Sequence, residues 1–287
     1  MPKLNAEMIF AAKAQLAIEY NCCKDDFSGS ENIVTTAVNP PNKRHYYEGE
    51  SFFKMVTFGQ NAVVSADEAI HKGISEFIKD QAGYRLFERE NLEQLEDLLR
   101  PYGKKLTSTF HMFLPMVQTA VPENKAETKW LEQEEISSFY NGSFPNALCT
   151  QFDPKRPDVL AIAAYENNET PRSKTAGYQD YDTALRGEGE YGIAASCELL
   201  NPSFHNEVIA MAGCSADTDL LWQIGIDVFP GHRGLGLGTY LVSALKDEIL
   251  RRGKIPFYGT SLSNLHSWNI AINCGFRPMW VEIDSKG

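Results

Sequence analysis

Apolar residues in this 287-residue chain follow two rhythms, one repeating every three to four positions and one crowding into short β-branched or aromatic runs. In the first rhythm, Ile9, Ala12, Leu16 and Tyr20 predict a helix over 5–20, with Asn5 as its cap. Ile70, Ile74, Phe77 and Ile78 predict another, opened by Ser65-Ala-Asp-Glu68 at capping-box spacing. Leu92, Leu95, Leu98 and Leu99 predict a third over 91–100, stopped by Pro101. The second rhythm marks 52–64, around Gly59-Gln-Asn, and 106–115 as strand-like. A loop rich in turn formers, ending near Asn39-Pro-Pro-Asn-Lys-Arg44, precedes them.

Further along, 130–140 reads as a helix closed by Asn141-Gly142, and 159–165 as a strand. Residues 166–206 are polar, Gly-rich and longer than ordinary connections, which marks an insertion. The stretches 208–214 and 220–228 read as paired strands. Leu237, Leu241, Leu245 and Ile249, widened by Leu235, Val242 and Leu250, predict an amphipathic helix over 235–252. Arg251 and Arg252 suit its terminal dipole, and Gly253 its left-handed cap. A strand over 255–260, a short helix over 265–274 closed by Gly275, and a strand over 276–283 complete the chain. A strand entering a Gly-rich turn, a long helix and another strand form a βαβ crossover. The fold class is therefore α/β, a mixed and partly open sheet flanked by helices. We place a boundary near residue 105, between a smaller α/β domain, 1–105, and a second domain, 106–287.

Composition narrows the function classes without choosing one. With 43% hydrophobic and 23% charged residues the chain has the makeup of an ordinary globular protein. A net charge of −11 argues against nucleic acid as a partner, since phosphate neutralisation needs clustered Lys and Arg. No apolar run reaches the ~20 residues of a membrane helix. The opening Met-Pro-Lys-Leu-Asn-Ala-Glu lacks the plan of a signal peptide, so a cytoplasmic location is expected. Cysteines at 22, 23, 149, 197, 214 and 274 share no repeated spacing, and neither a disulfide framework nor a metal site is expected.

The stretch that carries chemistry is Ile226-Asp-Val-Phe-Pro-Gly-His-Arg233-Gly-Leu-Gly236-Leu-Gly238-Thr-Tyr. The first amides of a helix have no internal partners and sit in the positive end of its dipole. Glycines at 234, 236 and 238 leave that backbone bare, which makes a nest for phosphate or pyrophosphate. A P-loop would place Gly-Lys before Ser or Thr, and no Lys lies in this turn. A dinucleotide fingerprint would space its glycines as Gly-x-Gly-x-x-Gly, whereas here they alternate behind an Arg.

Arg233-x-x-Gly236-x-Gly238 resembles the Arg/Gln-x-x-Gly-x-Gly/Ala signature of the GNAT superfamily of N-acetyltransferases. Ile226-x-Val228-x-Pro230 resembles the family's fourth strand, and Asn264, Ser267, Gly275 and Phe276 fall where the family has Asn-x-x-Ala and Gly-Phe. The wider wording is similar to a bacterial subgroup with an extra N-terminal half, itself a candidate degenerate GNAT-like unit. The resemblance implies acetyl-coenzyme A as acyl donor and an amine, on a small molecule or a peptide, as acceptor. It also implies that Arg233, Gly234, Leu235, Gly236, Leu237, Gly238 and Thr239 hold the pyrophosphate. Ile226 and Val228 would pair with the pantetheine arm from a splayed strand edge, and Asn264 and Ser267 would contact the cofactor. A homodimer is compatible with this reading.

The family's usual acid, a Tyr seven residues after the Asn, is here Ala271, and the Glu often found six residues before Val228 is Trp222. Tyr258 and Asp219 are the substitutes we single out, as acid and base, although a strand Tyr commonly packs and a turn carboxylate is commonly solvated. Asp217 shares that ambiguity, Trp222 and Trp268 are candidates for an acceptor pocket or for the core, and Cys274 reads as core. A non-catalytic acyl-coenzyme A sensor is the competing reading.

Overall fold

The computed structural model describes residues 2–44, 51–123, 126–166 and 207–287, so 167–206 of the expected insertion lie outside the described residues. The first half contributes α1 (Pro2–Tyr20), β1 (Ile33–Thr36), β2 (Phe53–Thr57), β3 (Ala62–Ala66), α2 (Glu68–Ile78), α3 (Arg89–Leu99), β4 (Lys105–Leu106) and β5 (Phe110–Pro115). The second contributes β6 (Glu127–Glu132), α4 (Gln133–Ile136), β7 (Asp158–Tyr165), β8 (Val208–Ala216), β9 (Leu221–Val228), α5 (Leu237–Arg251), β10 (Ile255–Ser261), α6 (Leu265–Asn273) and β11 (Phe276–Lys286). All eleven strands among the described residues join one sheet, in the order β1-β3-β2-β11-β5-β10-β9-β8-β7-β6, with β4 beside β11. Pairing is antiparallel except for β1–β3 and β9–β10. The last strand, β11, lies between β2 and β5, so the sheet is continuous across residue 105.

Alternation along the strands sends neighbouring residues to opposite faces. Ile283, Phe113, Tyr258 and Ile224 point to the face covered by α2, α3, α5 and α6. Trp280, Met112, Phe257 and Met211 point to the face covered by α1, α4 and the segment after α4. The α1-side core joins Met8, Leu16 and Val56 of the first half to Phe257 and Trp280 of the second.

Local differences from the sequence reading have local causes. Helix α1 starts at Pro2, a residue whose missing N–H is harmless in a first turn, and Asn5 instead donates its side-chain N–H to Met116 O at 2.8 Å. Helix α2 is capped by Asp67, which accepts from Ala69 N at 2.9 Å, because Ser65 is still in β3. Residues 130–132 belong to β6, an edge strand on which only Leu131 is buried, so no alternation announced it; the helix predicted over 130–140 shrinks to α4 and a 3₁₀ turn at Ser137–Phe139.

A buried ionic cluster ties α1, the 37–44 loop and β11 together. Arg44 donates to Glu19 through Nε at 2.9 Å and Nη2 at 3.0 Å, and through Nη2 to Glu282 at 3.0 Å. Burial opposes the Glu19 charge, but Arg44 and the hydrogen bonds around Glu19 outweigh it and hold its pKa below the usual range. Nearby Asp284 differs: burial pushes its pKa up to about 6, against an ordinary 3.8, despite Lys54. A raised carboxylate pKa contributes stability below its unfolded value and loses that contribution as pH rises through its folded value. Asp284→Asn is therefore expected to stabilise by about 1–2 kcal/mol more at pH 8 than at pH 4, less than the full pKa rise implies because Asp284 is only half-buried and its charge is partly solvent-screened. Urea unfolding at the two pH values checks this, and an equal difference at both would remove Asp284 as the cause.

Candidate active site

The sheet forks at Tyr258. That residue is the last β10 partner of β9, opposite Ile224, and the first β10 partner of β5, opposite Phe113. Past the fork β10 follows β5, and Gly225–Val228 of β9 keep only β8 as a strand neighbour among the described residues. A row of backbone groups thus faces an open wedge, which is what an added extended ligand needs.

The β9–α5 turn closes the open side of this wedge. Gly234 and Gly236 adopt left-handed φ values of 77° and 84°, and a β-carbon at either would meet nothing within 4 Å. Gly236 is the N-cap of α5, so Leu237, Gly238 and Thr239 present the first-turn amides that no helical carbonyl can satisfy. Arg233 folds back and donates through Nε to Val228 O at 3.1 Å, fixing the turn to the end of β9. Gly238 has a different reason to be glycine: a β-carbon there would lie 3.0 Å from Ile270 Cδ1 and 3.6 Å from Val228 Cγ2, so its bareness lets α5 pack onto β9 and α6.

On the opposite face, a cavity of about 1140 Å³ reaches the fork at Gln223, Ile224 and Gly225. Gly225, part of its lining, faces Gly213 across the strands as a glycine pair. A β-carbon on Gly225 would lie 1.7 Å from Asn146 O, and one on Gly213 2.3 Å from Ala147 O, so the 146–147 backbone lies directly on the sheet. Asp227 holds it there, accepting from Asn146 N at 2.8 Å, Asn146 Nδ2 at 2.6 Å and Ala147 N at 2.9 Å. Arg156, Asp158 and Ser215 continue the lining, as do Asn39, Pro40, Pro41 and Lys43 of the first half. Behind Ser215, Asp217 accepts from Ser215 Oγ at 2.7 Å and Arg156 Nε at 2.9 Å, while its buried Oδ2 has no partner among the described residues. Burial raises the pKa of both Asp217 and Asp158.

The acetyltransferase (GNAT) family model matches residues 158–276, the span that contains the fork, the turn and α6. The chain carries a GNAT acetyltransferase domain. No curated protein matches it. Similar solved structures include GNAT-family acetyltransferases from Novosphingobium aromaticivorans (12% identity, 64% of this chain and 66% of that one, TM-score 0.40) and Colwellia psychrerythraea (12%, 63% and 57%, 0.35). A tandem GNAT protein from the clavulanic acid biosynthesis pathway is similar at 11% identity over 84% of this chain and 80% of its own, with a TM-score of 0.37. The chain spans under two thirds of the first two structures' lengths.

Within the GNAT domain the structure brings together Ile226, Val228, the 233–239 turn, Tyr258, Asn264 and Ser267. Asn264 caps α6 by accepting from Ser267 N at 3.1 Å, which engages its carbonyl oxygen and leaves its amide to other partners. Tyr258 is 3% exposed, and burial pushes its phenol up to about 12, with the Ser267 hydroxyl pulling the other way. Asp219 is not brought to the fork. It is exposed in the β8–β9 turn, at the opposite end of β9 from the glycine cradle, where Lys254 Nζ donates to its carbonyl at 2.7 Å. The structure therefore does not bring Asp219 together with Tyr258 and the turn residues. Trp222, Trp268 and Ala271 join the α5-side core, and Cys274 donates its thiol to Thr239 O at 3.3 Å within the same packing. The sequence reading missed the 213/225 glycine pair, Asp227 and the first half's contribution to the cavity. Glycine in mid-strand was the available signal, since it commonly marks close backbone approach.

Proposed function

We propose that the chain transfers an acetyl group from acetyl-coenzyme A to a primary amine by direct attack in a ternary complex. The observation that carries this reading is the fork at Ile224/Tyr258 with the bare Gly234–Gly236 turn on its open side. The unpaired edge Gly225–Val228 suits an extended amide-bearing arm, and the first-turn amides of α5 suit a pyrophosphate; Arg233, Gly234, Leu235, Gly236, Leu237, Gly238 and Thr239 would hold it, with Ile226, Val228, Asn264 and Ser267 along the arm. Acetyl-coenzyme A supplies an activated thioester. The chain's own work is to align an amine with it, an effect that provides much of a rate without a strong base.

The acceptor would enter from the cavity on the other face, against Gln223–Gly225. Tyr258 is the residue at the fork with a proton to give, and its high pKa keeps it protonated at any working pH. A thiolate of pKa near 8.5 leaves with little help, so Tyr258→Phe is expected to lower kcat by only about tenfold, with acetyl-coenzyme A affinity unchanged. Steady-state thiol release measures this; an unaltered kcat would leave Tyr258 as packing.

The fit of Trp222 and Ala271 into the core, 9% and 0% exposed, supports a second reading as a non-catalytic acyl-coenzyme A sensor, because neither usual proton-transfer position is available. Titration calorimetry with coenzyme A, followed by thiol release across a panel of amines, separates the two. Binding with release supports the transferase, binding without release the sensor, and no binding sinks both.

A further inference from the structure

We infer that the 39–43 segment of the first half is the specificity wall of the acceptor cavity, and that the acceptor is an extended, polar primary amine of oligopeptide size. This rests on the transferase reading above.

The cavity is lined both by Ile224 and Gly225, where an amine would meet the donor, and by Asn39, Pro40, Pro41 and Lys43. Its volume of about 1140 Å³ exceeds the roughly 300–1,000 Å³ typical of pockets that enclose drug-sized ligands. A small amine seated at the fork would fill only a fraction of that space. Carboxamides of Asn39 and Gln151 line it, a surface of paired donors and acceptors that suits peptide-like groups, while Gln223 Oε1 accepts from Arg156 Nη2 at 2.7 Å.

The wall is built to hold its shape. Its end is fixed by Arg44, whose backbone N–H donates to Glu19 at 3.1 Å and whose guanidinium is clamped between Glu19 and Glu282. Gln15 Nε2 donates to Asn42 O at 2.9 Å, and Pro40-Pro41 restricts the backbone between these anchors. A surface with its conformational freedom already removed selects ligands without an ordering penalty. The continuous sheet places this piece of the first half against the GNAT domain, which gives that half a role in acceptor choice.

The test compares glycinamide with pentaglycinamide as acceptors for the full chain, at saturating acetyl-coenzyme A, by thiol release. The expected kcat/KM rises at least tenfold with length. Pro41→Trp, at an exposed position clear of the ionic cluster, should raise the KM for pentaglycinamide about tenfold while leaving glycinamide and acetyl-coenzyme A affinity within twofold. Asn39→Ala should weaken only the long acceptor, by a smaller factor, and thermal melts check that both variants fold. Equal kcat/KM for the two acceptors, or a Pro41→Trp effect of the same size on both, overturns the proposal. Failure of the transferase reading looks different: wild-type chain binds coenzyme A but releases no thiol with either amine, and the wall's role falls with it.

Discussion

Gly236→Glu is expected to weaken coenzyme A binding at least a hundredfold, while Gly236→Ala weakens it no more than about tenfold. Both replacements force an L-residue to φ 84°, which costs ~1–2 kcal/mol, and neither meets an obstacle, since nothing lies within 4 Å of the added β-carbon. What differs is charge. A carboxylate held ~4–8 Å from a bound pyrophosphate is repelled by roughly 2–4 kcal/mol at an effective dielectric near 20. It also competes for the first-turn amides of α5 on which the anion would sit. The Glu-to-Ala ratio of Kd values, by titration calorimetry at low and high salt, isolates that repulsion from the backbone strain. Equal affinities for the two variants would show that no anion is bound at this turn, and the cofactor assignment would fall with it. Added salt should narrow the ratio, because the repulsion is partly solvent-screened.

This site was legible in the sequence to the extent that its chemistry is local. A glycine-rich turn between a strand and an amphipathic helix is written in consecutive residues, and Gly236 takes the left-handed conformation that such a turn requires. Gly238 shows the limit: it looked like a third bare position of the cradle, but its neighbour is Ile270, a residue of α6 that only packing brings near. The fork could not be read from residues at all. It depends on β10 changing partners at Tyr258, and the new partner, β5, comes from more than a hundred residues earlier. For the same reason Asp219 looked plausible beside β9 in sequence yet stands at the wrong end of the strand. The strands, most helices and the α/β class were visible because burial imprints a period on them. Edge strand β6, with a single buried side chain, carried no such imprint, and the 1–105/106–287 division stays a proposal about folding units that share one sheet.

The cavity side of the fork yields the second large effect. Gly225→Ala would put a β-carbon 1.7 Å from Asn146 O, a backbone atom that cannot swing aside as a side chain would. Asp227 ties that backbone down with three hydrogen bonds, so the 145–148 segment has to lift from the sheet together with Phe144, Ala147 and Leu148, which fill the core beneath α4. Overpacking of this kind, with loss of charge-assisted hydrogen bonds, is expected to destabilise by about 2–4 kcal/mol. Gly213→Ala intrudes on the adjoining Ala147 O at 2.3 Å and lifts the same segment, so its cost should be similar. The two should not add. Once one alanine has displaced the segment, the second finds the space already open, and the double variant should fall short of the summed losses by at least ~1 kcal/mol. Urea unfolding of the four proteins measures this coupling directly. Additivity within ~0.5 kcal/mol would mean that the strands yield separately rather than the segment as one piece.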